Sequence, residues 1–138
     1  MKNKSNLLKN KRKSYKTSKT VFISFKYAFS GINYAFKYSR NFKIQVFVAF
    51  FILILGSLLQ INKSDYFILI VTIMSVLILE VLNTSIESLV DLVVKKKFSN
   101  LARITKDSSA GAVLLASINS VIIAGFIFIP KIKVLFLN

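Results

Sequence analysis

The sequence predicts an all-α integral membrane protein with three transmembrane helices and an N-terminal amphipathic interfacial helix. The chain has 138 residues, of which 54% are hydrophobic, and it contains one proline. This composition is too apolar for a soluble domain of this length, and the length allows only one domain. Three apolar runs can each cross a bilayer, which requires about 20 predominantly apolar residues.

Residues 1–20, MKNKSNLLKNKRKSYKTSKT, are basic and polar and show no apolar periodicity, so we expect them to be disordered. Attraction to anionic lipid head groups is expected here, worth about 1 kcal/mol for each basic residue near the surface. A solvated tail that only enforces topology is the alternative. A nucleic-acid partner is disfavoured because the segment lies directly beside a membrane anchor.

Residues 21–43 are predicted to form the interfacial helix. Eight aromatic side chains are interspersed there with four basic residues, Lys26, Lys37, Arg40 and Lys43. This pattern is typical of a helix that lies in the membrane interface. Most of the aromatic side chains are interpreted as interfacial anchors.

The three spans are expected at about residues 44–61, 66–94 and 110–129, and residues 21–138 form one membrane domain. Of the 20 lysine and arginine residues, 12 precede the first span and five lie between the second and third spans. One lies between the first and second spans, and two follow the third. Basic residues favour the cytoplasmic side. We therefore expect a multi-pass protein of a bacterial-type inner membrane, with its N-terminus and second loop in the cytoplasm.

Three of the five acidic residues lie at the end of the second apolar run, in EVLNTSIESLVD: Glu80, Glu87 and Asp91. Steps of seven and eleven residues return a helix to within about 20° of its starting direction, so these carboxylates share one stripe, which Asn83 and Thr84 flank. A carboxylate at membrane depth is costly and indicates a functional site. Ordinary helix-end polarity facing water is the alternative, and the apolar VTIMSVLIL before Glu80 disfavours it.

The remaining composition restricts the chemistry. The chain has no histidine and no cysteine, which removes imidazole bases, thiolate nucleophiles, disulfides and the usual zinc ligands. Lys106 comes shortly before the third span, and Asp107 or Ser108 is expected to cap that helix, whose N-terminus would then bind an anion. With carboxylates suited to a hard cation on the same side, the sequence favours chemistry on a metal-bound phosphate ester. No Walker-type or kinase glycine loop is present.

EVLNTSIESLVD, followed by LARITKDSSAGAVLL, resembles the signature region of the small prokaryotic diacylglycerol kinase family, which includes undecaprenol kinases. SFKYAFSGI and RNFKIQ are similar to that family's surface helix and its entry into the membrane, so the resemblance covers about residues 22–129. It implies a three-span homotrimer that uses Mg²⁺ and transfers the γ-phosphoryl group of ATP to a lipid hydroxyl at the cytoplasmic interface. The implied acceptor is diacylglycerol, giving phosphatidic acid, or alternatively undecaprenol, giving undecaprenyl phosphate.

The resemblance also assigns roles by motif position. Glu80 matches the catalytic base, Asn83 matches an asparagine beside it, and Asp91 matches an acidic residue at the cytoplasmic helix end. Glu87 matches a metal ligand at the nucleotide. Ser39 stands where many members have a glutamate that is the second metal ligand, so a water molecule, or Asp107 moving closer, is expected to fill that place.

Three further residues match nucleotide-contacting positions: Tyr27, Lys106 and Asp107. A neighbouring chain of the trimer is able to supply some of them. Gln45, where related proteins often have histidine or glutamate, is assigned no function.

Two classes without kinase activity are disfavoured. A holin-like or scaffold membrane protein would have a small apolar interior, which the column of acids beginning at Glu80 contradicts. A transporter or channel subunit would continue the polar stripe across the bilayer. Between Gln45 and Gln60 at its two ends, the first span offers only Ser57, and the third offers only Ser117, Asn119 and Ser120.

Overall fold

The structure, a computed structural model, describes residues 21–95 and 97–137. These ranges contain four helices and no strand: α1 (Val21–Tyr38), α2 (Arg40–Leu58), α3 (Lys63–Val94) and α4 (Asn100–Leu137). Helices α2, α3 and α4 are long and apolar enough to cross a membrane. The predicted all-α fold with three spans is thereby confirmed. The prediction of disorder for residues 1–20 lies outside the described residues.

The described chain divides into two compact units, one ending at Asn33 and one beginning at Tyr34. In the first unit, residues 21–33 are helical and their side chains are exposed, including the aromatic ones. The second unit contains the three long helices, in which α3 packs against both α2 and α4. Helix α3 is therefore the element on which a site of this unit is built.

The first span begins earlier than predicted, because the chain leaves the helical conformation at Ser39. Its backbone is extended, with φ −86° and ψ 118°, and its Oγ accepts a hydrogen bond from the Phe42 N–H at 3.1 Å. Serine is a favoured N-cap because its side-chain oxygen satisfies one of the free N–H groups of the first turn. The single interfacial helix predicted for residues 21–43 is therefore wrong at its end, and Arg40 lies in the first turn of α2.

A tight turn at residues 59–62 joins α2 to α3. Gln60 adopts the left-handed conformation with φ 48°. A Cβ atom on Gly56 would lie 2.9 Å from Cδ1 of Ile61, so glycine permits the close approach of the turn to α2. Ile61 forms a buried cluster with Leu69 and Phe128, which brings the ends of α2, α3 and α4 together.

Helix α4 begins at Asn100, so the connection after α3 is shorter than predicted. The prediction that Asp107 or Ser108 caps this helix is wrong, because both lie inside it. The residue before the helix is Ser99, whose Oγ accepts from the Ala102 N–H at 3.4 Å. No glycine or proline interrupts residues 100–110, and the helical pattern continues through them.

The far end of α4 also extends beyond the predicted span and contains Pro130. A proline removes one backbone hydrogen bond from a helix, which neighbouring groups compensate in membrane helices. The adjacent Lys131 donates from Nζ to the Gln60 carbonyl oxygen at 3.4 Å. One of the two lysines after the third span is therefore bound to the α2–α3 turn.

Candidate active site

The acidic stripe of α3 lines a polar cleft of about 320 Å³. The cleft is formed by the following residues: Tyr34, Tyr38, Ser39, Arg40, Asn41, Glu80, Asn83, Thr84, Glu87, Ser88 and Asp91. Glu80, Asn83 and Thr84 are buried, whereas Glu87 and Asp91 are exposed. The stripe thus leads from a buried carboxylate to the surface over roughly 16 Å of helical rise.

Glu80 is the largest fully buried side chain of the described residues, with 1% exposure. Its Oε1 accepts a hydrogen bond from Ser39 Oγ at 2.7 Å, and its Oε2 accepts one from Gln45 Nε2 at 3.2 Å. Both donors come from the beginning of α2. A buried carboxylate requires such donors, since unpaired polar groups are costly away from water. In the described part of the chain no lysine or arginine forms an ion pair with Glu80, so these two neutral donors are the polar contacts of its carboxylate there.

Asn83 connects Glu87 to α4. Ser109 Oγ donates to Asn83 Oδ1 at 2.6 Å, and Asn83 Nδ2 donates to Glu87 Oε1 at 3.3 Å. These two bonds fix the orientation of the buried amide and hold one oxygen of the exposed Glu87 carboxylate. They also fix the position of α4 against α3 at the level of the cleft.

Lys106 of α4 and Asp91 of α3 form an ion pair with an Nζ–Oδ1 distance of 2.6 Å. Their side chains are 35% and 53% exposed, and pairs of this kind contribute about 0–1 kcal/mol to stability. The pair therefore contributes little to the stability of the fold, and its main effect is to fix the position of the Lys106 charge. It brings the predicted lysine to the open end of the acidic stripe.

The other two residues predicted to contact nucleotide are placed differently. Asp107 is exposed on α4 and does not line the cleft. Tyr27 lies in the unit of residues 21–33, and its ring is 64% exposed. Their contacts with nucleotide stay predictions.

Several residues of the site are not identified by the sequence analysis, among them two tyrosines and a glutamine. Tyr34 and Tyr38 were interpreted as interfacial anchors, but their rings line the cleft with centroids 4.6 Å apart. Their i, i+4 spacing, which places side chains on one helix face, is a signal that was available. Gln45 was assigned no role, although a polar side chain at membrane depth is the same kind of signal that identified Glu80.

The residues present fit a magnesium ion that arrives with a nucleotide. The described residues contain no group of three or more histidine, cysteine, aspartate or glutamate side chains placed to hold a metal. Mg²⁺ usually needs only one or two carboxylates, with phosphate oxygens and water as its other ligands. Within the described chain Glu87 Oε2 makes no hydrogen bond, so this oxygen is available. Ser39 is less suited, because its hydroxyl already donates to Glu80 and accepts from Phe42.

The family model for prokaryotic diacylglycerol kinase matches residues 26–128, most of the 138-residue chain. The chain belongs to the prokaryotic diacylglycerol kinase family. The matched range contains every site residue predicted from the sequence, from Tyr27 to Asp107.

Three relatives are similar over most of the chain. The chain is 39% identical to a diacylglycerol kinase of Synechocystis sp. over 122 residues, 88% of this chain and 70% of the relative. It is 38% identical to an undecaprenol kinase of Bacillus subtilis over 111 residues, which cover 80% of this chain and 89% of the relative. It is 27% identical to a diacylglycerol kinase of Haemophilus influenzae over 116 residues, 83% and 98%.

In this prokaryotic diacylglycerol kinase family member, Ser39→Ala is expected to lower the free energy of unfolding by about 1–3 kcal/mol. The substitution removes the N-cap of α2 and leaves one oxygen of the buried Glu80 carboxylate without its donor. The measurement is equilibrium unfolding in detergent micelles. Ser85→Ala is the matched control, because the exposed Ser85 hydroxyl only donates to the Val81 carbonyl of its own helix. Equal losses in the two variants would contradict the prediction.

Proposed function

We propose that this protein transfers the γ-phosphoryl group of ATP to the hydroxyl of diacylglycerol, giving phosphatidic acid. Family membership supports a lipid kinase, and a kinase uses ATP. The observation that supports the site most directly is the buried Glu80 carboxylate, which has two hydrogen-bond donors and, among the described residues, no paired cation. It lies at the inner end of a cleft whose outer end carries Glu87 and Asp91.

Glu80 acts as the general base in this proposal. The proton of the acceptor hydroxyl passes to the carboxylate while the hydroxyl oxygen attacks the γ-phosphorus and the bond to the bridging oxygen of ADP breaks. Ser39 and Gln45 hold the two carboxylate oxygens in place for this step. Phosphoryl transfer depends mainly on positioning and charge neutralisation, to which a positioned base adds a factor of about 10²–10⁴.

The exposed end of the stripe binds the nucleotide in this proposal. Glu87 would hold Mg²⁺, which supplies neutralisation of the phosphate charges when it is bound. Lys106 exchanges its weak surface pair with Asp91 for a phosphate oxygen, a stronger charge-assisted contact. The nucleotide contacts of Tyr27 and Asp107 are supported by their motif positions alone.

Undecaprenol is the second candidate acceptor. The undecaprenol kinase of Bacillus subtilis is 38% identical to this chain, close to the 39% of the Synechocystis diacylglycerol kinase. Labelled ATP with the two lipids offered in competition distinguishes these acceptors.

Glu80→Gln is expected to lower turnover with labelled ATP and diacylglycerol by about 100-fold or more, because it removes the proton acceptor. ATP binding should be retained, since Glu80 lies at the inner end of the cleft. Asp65→Asn, which neutralises an acidic residue at the opposite end of α3, is the control and should leave the rate near that of the unsubstituted protein. A near-normal rate for Glu80→Gln would remove this residue from its assigned role.

The magnesium requirement tests Glu87. Glu87→Gln is expected to raise strongly the Mg²⁺ concentration at half-maximal rate, because it removes the available carboxylate. Ser39→Glu adds a second anionic ligand and is expected to lower that concentration, while turnover falls because the hydrogen bond to Glu80 is lost. The measurement is a magnesium titration of the three proteins, and a harmless Glu87→Gln would show that the metal assignment is wrong.

We propose an inner-membrane location with the N-terminus and the cleft in the cytoplasm. The cleft lies at the start of α2 and the end of α3. In the sequence, 12 of the 20 basic residues precede the first span and five lie between the second and third, and basic residues favour the cytoplasmic side. A reporter fused after Lys63 is expected to be external, and one at Phe98 cytoplasmic. The opposite result would place the cleft on the external side of the membrane, away from cytoplasmic ATP, and would contradict the proposed orientation.

A homotrimer is also proposed. Its number of subunits rests on the family resemblance, and one structural feature supports contact between copies. Asn119 is exposed on the membrane-spanning α4, beside Thr72 and Ser75 of α3. Polar side chains at membrane depth commonly pair across helices. Cross-linking in native membranes tests the oligomeric state, and recovery of monomers alone would contradict the homotrimer.

The proposed contact of the basic tail, residues 1–20, with anionic lipids concerns residues outside those described.

A further inference from the structure

An apolar groove lies between α2, α3 and α4, and the chemistry described above does not use it. Its volume is about 240 Å³, and four small side chains lie in its wall: Ala49, Ser117, Ser120 and Ala124. On α3 it reaches from Leu69 to Leu77, about 12 Å of helical rise. Packed proteins leave few spaces larger than a water molecule, so a groove of this size between three helices has room for an apolar group from outside the chain.

Gln45 connects this groove to Glu80. It lines the groove, and its Nε2 donates to Glu80 Oε2 at 3.2 Å. This bond fixes the orientation of the amide, because only the nitrogen can donate to a carboxylate. The other amide atom, Gln45 Oε1, is buried and makes no hydrogen bond within the described chain. A buried acceptor without a donor is costly, which indicates that a ligand supplies the donor.

We propose that the groove binds the hydrocarbon chain of the acceptor lipid, and that Gln45 Oε1 accepts a hydrogen bond from the lipid's hydroxyl group. This inference rests on the proposed lipid kinase function. The groove is apolar, lies among three membrane-spanning helices and ends at Gln45, beside the base. A chain that follows it from the membrane interior therefore brings its hydroxyl to Glu80.

Gln45 and Glu80 then act in succession. The acceptor hydroxyl has one proton, which faces Gln45 Oε1 when the lipid binds. The hydroxyl rotates towards Glu80 as its oxygen attacks the γ-phosphorus, and the carboxylate takes the proton. Gln45 is a substrate-positioning residue in this scheme, since its amide holds the base with one atom and the substrate with the other.

The first test fills the groove. Ala49→Leu is expected to raise the KM for long-chain diacylglycerol on the order of tenfold, while the KM for ATP and the KM for short-chain diacylglycerol stay nearly unchanged. Ala112→Leu is the matched control, because Ala112 is exposed on α4 and lies outside the groove. Ser120→Val, on the opposite wall, is the second variant if Ala49→Leu does not fold, and the same split between long and short chains is expected.

The second test concerns the hydroxyl. Two diacylglycerol analogues are compared as inhibitors, one with the hydroxyl and one without it. For the unsubstituted protein, the inhibition constant of the analogue without the hydroxyl should be on the order of tenfold higher. Gln45→Leu should abolish this difference, whereas a purely structural role would change turnover and leave the ratio of the two inhibition constants intact.

The outcomes separate the two proposals. If the unsubstituted protein phosphorylates neither diacylglycerol nor undecaprenol, the proposed function fails and this inference fails with it. If the protein is active but Ala49→Leu and Ser120→Val behave like Ala112→Leu, the groove is not the chain site and the kinase proposal stands. A change of cross-linked size in Ala49→Leu with an unchanged lipid KM would assign the groove to a second copy and overturn the inference.

Discussion

The burial of one carboxylate within a membrane-spanning bundle is the constraint on which the rest of this structure depends. Glu80 needs donors on both oxygens, and they come from one short stretch, Ser39 and Gln45. Ser39 also caps α2, so the same hydroxyl oxygen determines where the first span begins and how the carboxylate is held. The start of α2 and the geometry of the proposed base are therefore fixed together.

The surroundings of Glu80 divide the site into two ends with different physical properties. The inner end is buried, and Gln45 joins it to the apolar groove between the spans. The outer end is exposed, and Ser109 and Lys106 of α4 contact Asn83 and Asp91 there. A lipid hydroxyl and a charged nucleotide need these opposite environments, and one helix stripe presents both.

The features that the sequence predicted correctly depend on strong local signals. The three apolar runs exceed the length of a bilayer crossing, and the seven- and eleven-residue spacing from Glu80 places the acids on one face in any α-helix. The roles of these acidic residues came from the family resemblance, which rests on motifs that are present in the sequence.

The features that were missed depend on tertiary contacts or on competing local signals. Ser39 has no glycine or proline beside it, so the helix break became visible only through its bonds to Phe42 and Glu80. Asp107 and Ser108 resemble a helix cap, but the helix already begins at Asn100, before LARITK, and residues 107 and 108 fall inside it. The nucleotide contact of Tyr27, the metal and the number of subunits stay predictions.

The most direct test of the central claim is a double-mutant cycle on turnover, with Ser39→Ala and Glu80→Gln measured alone and together. If Ser39 acts by holding the Glu80 carboxylate, adding Ser39→Ala to Glu80→Gln should change turnover by no more than about twofold, although Ser39→Ala alone lowers it clearly. Ser85→Ala in the same two backgrounds should have no effect in either. Full multiplication of the two losses would contradict the account, because it would show that Ser39 and Glu80 contribute independently.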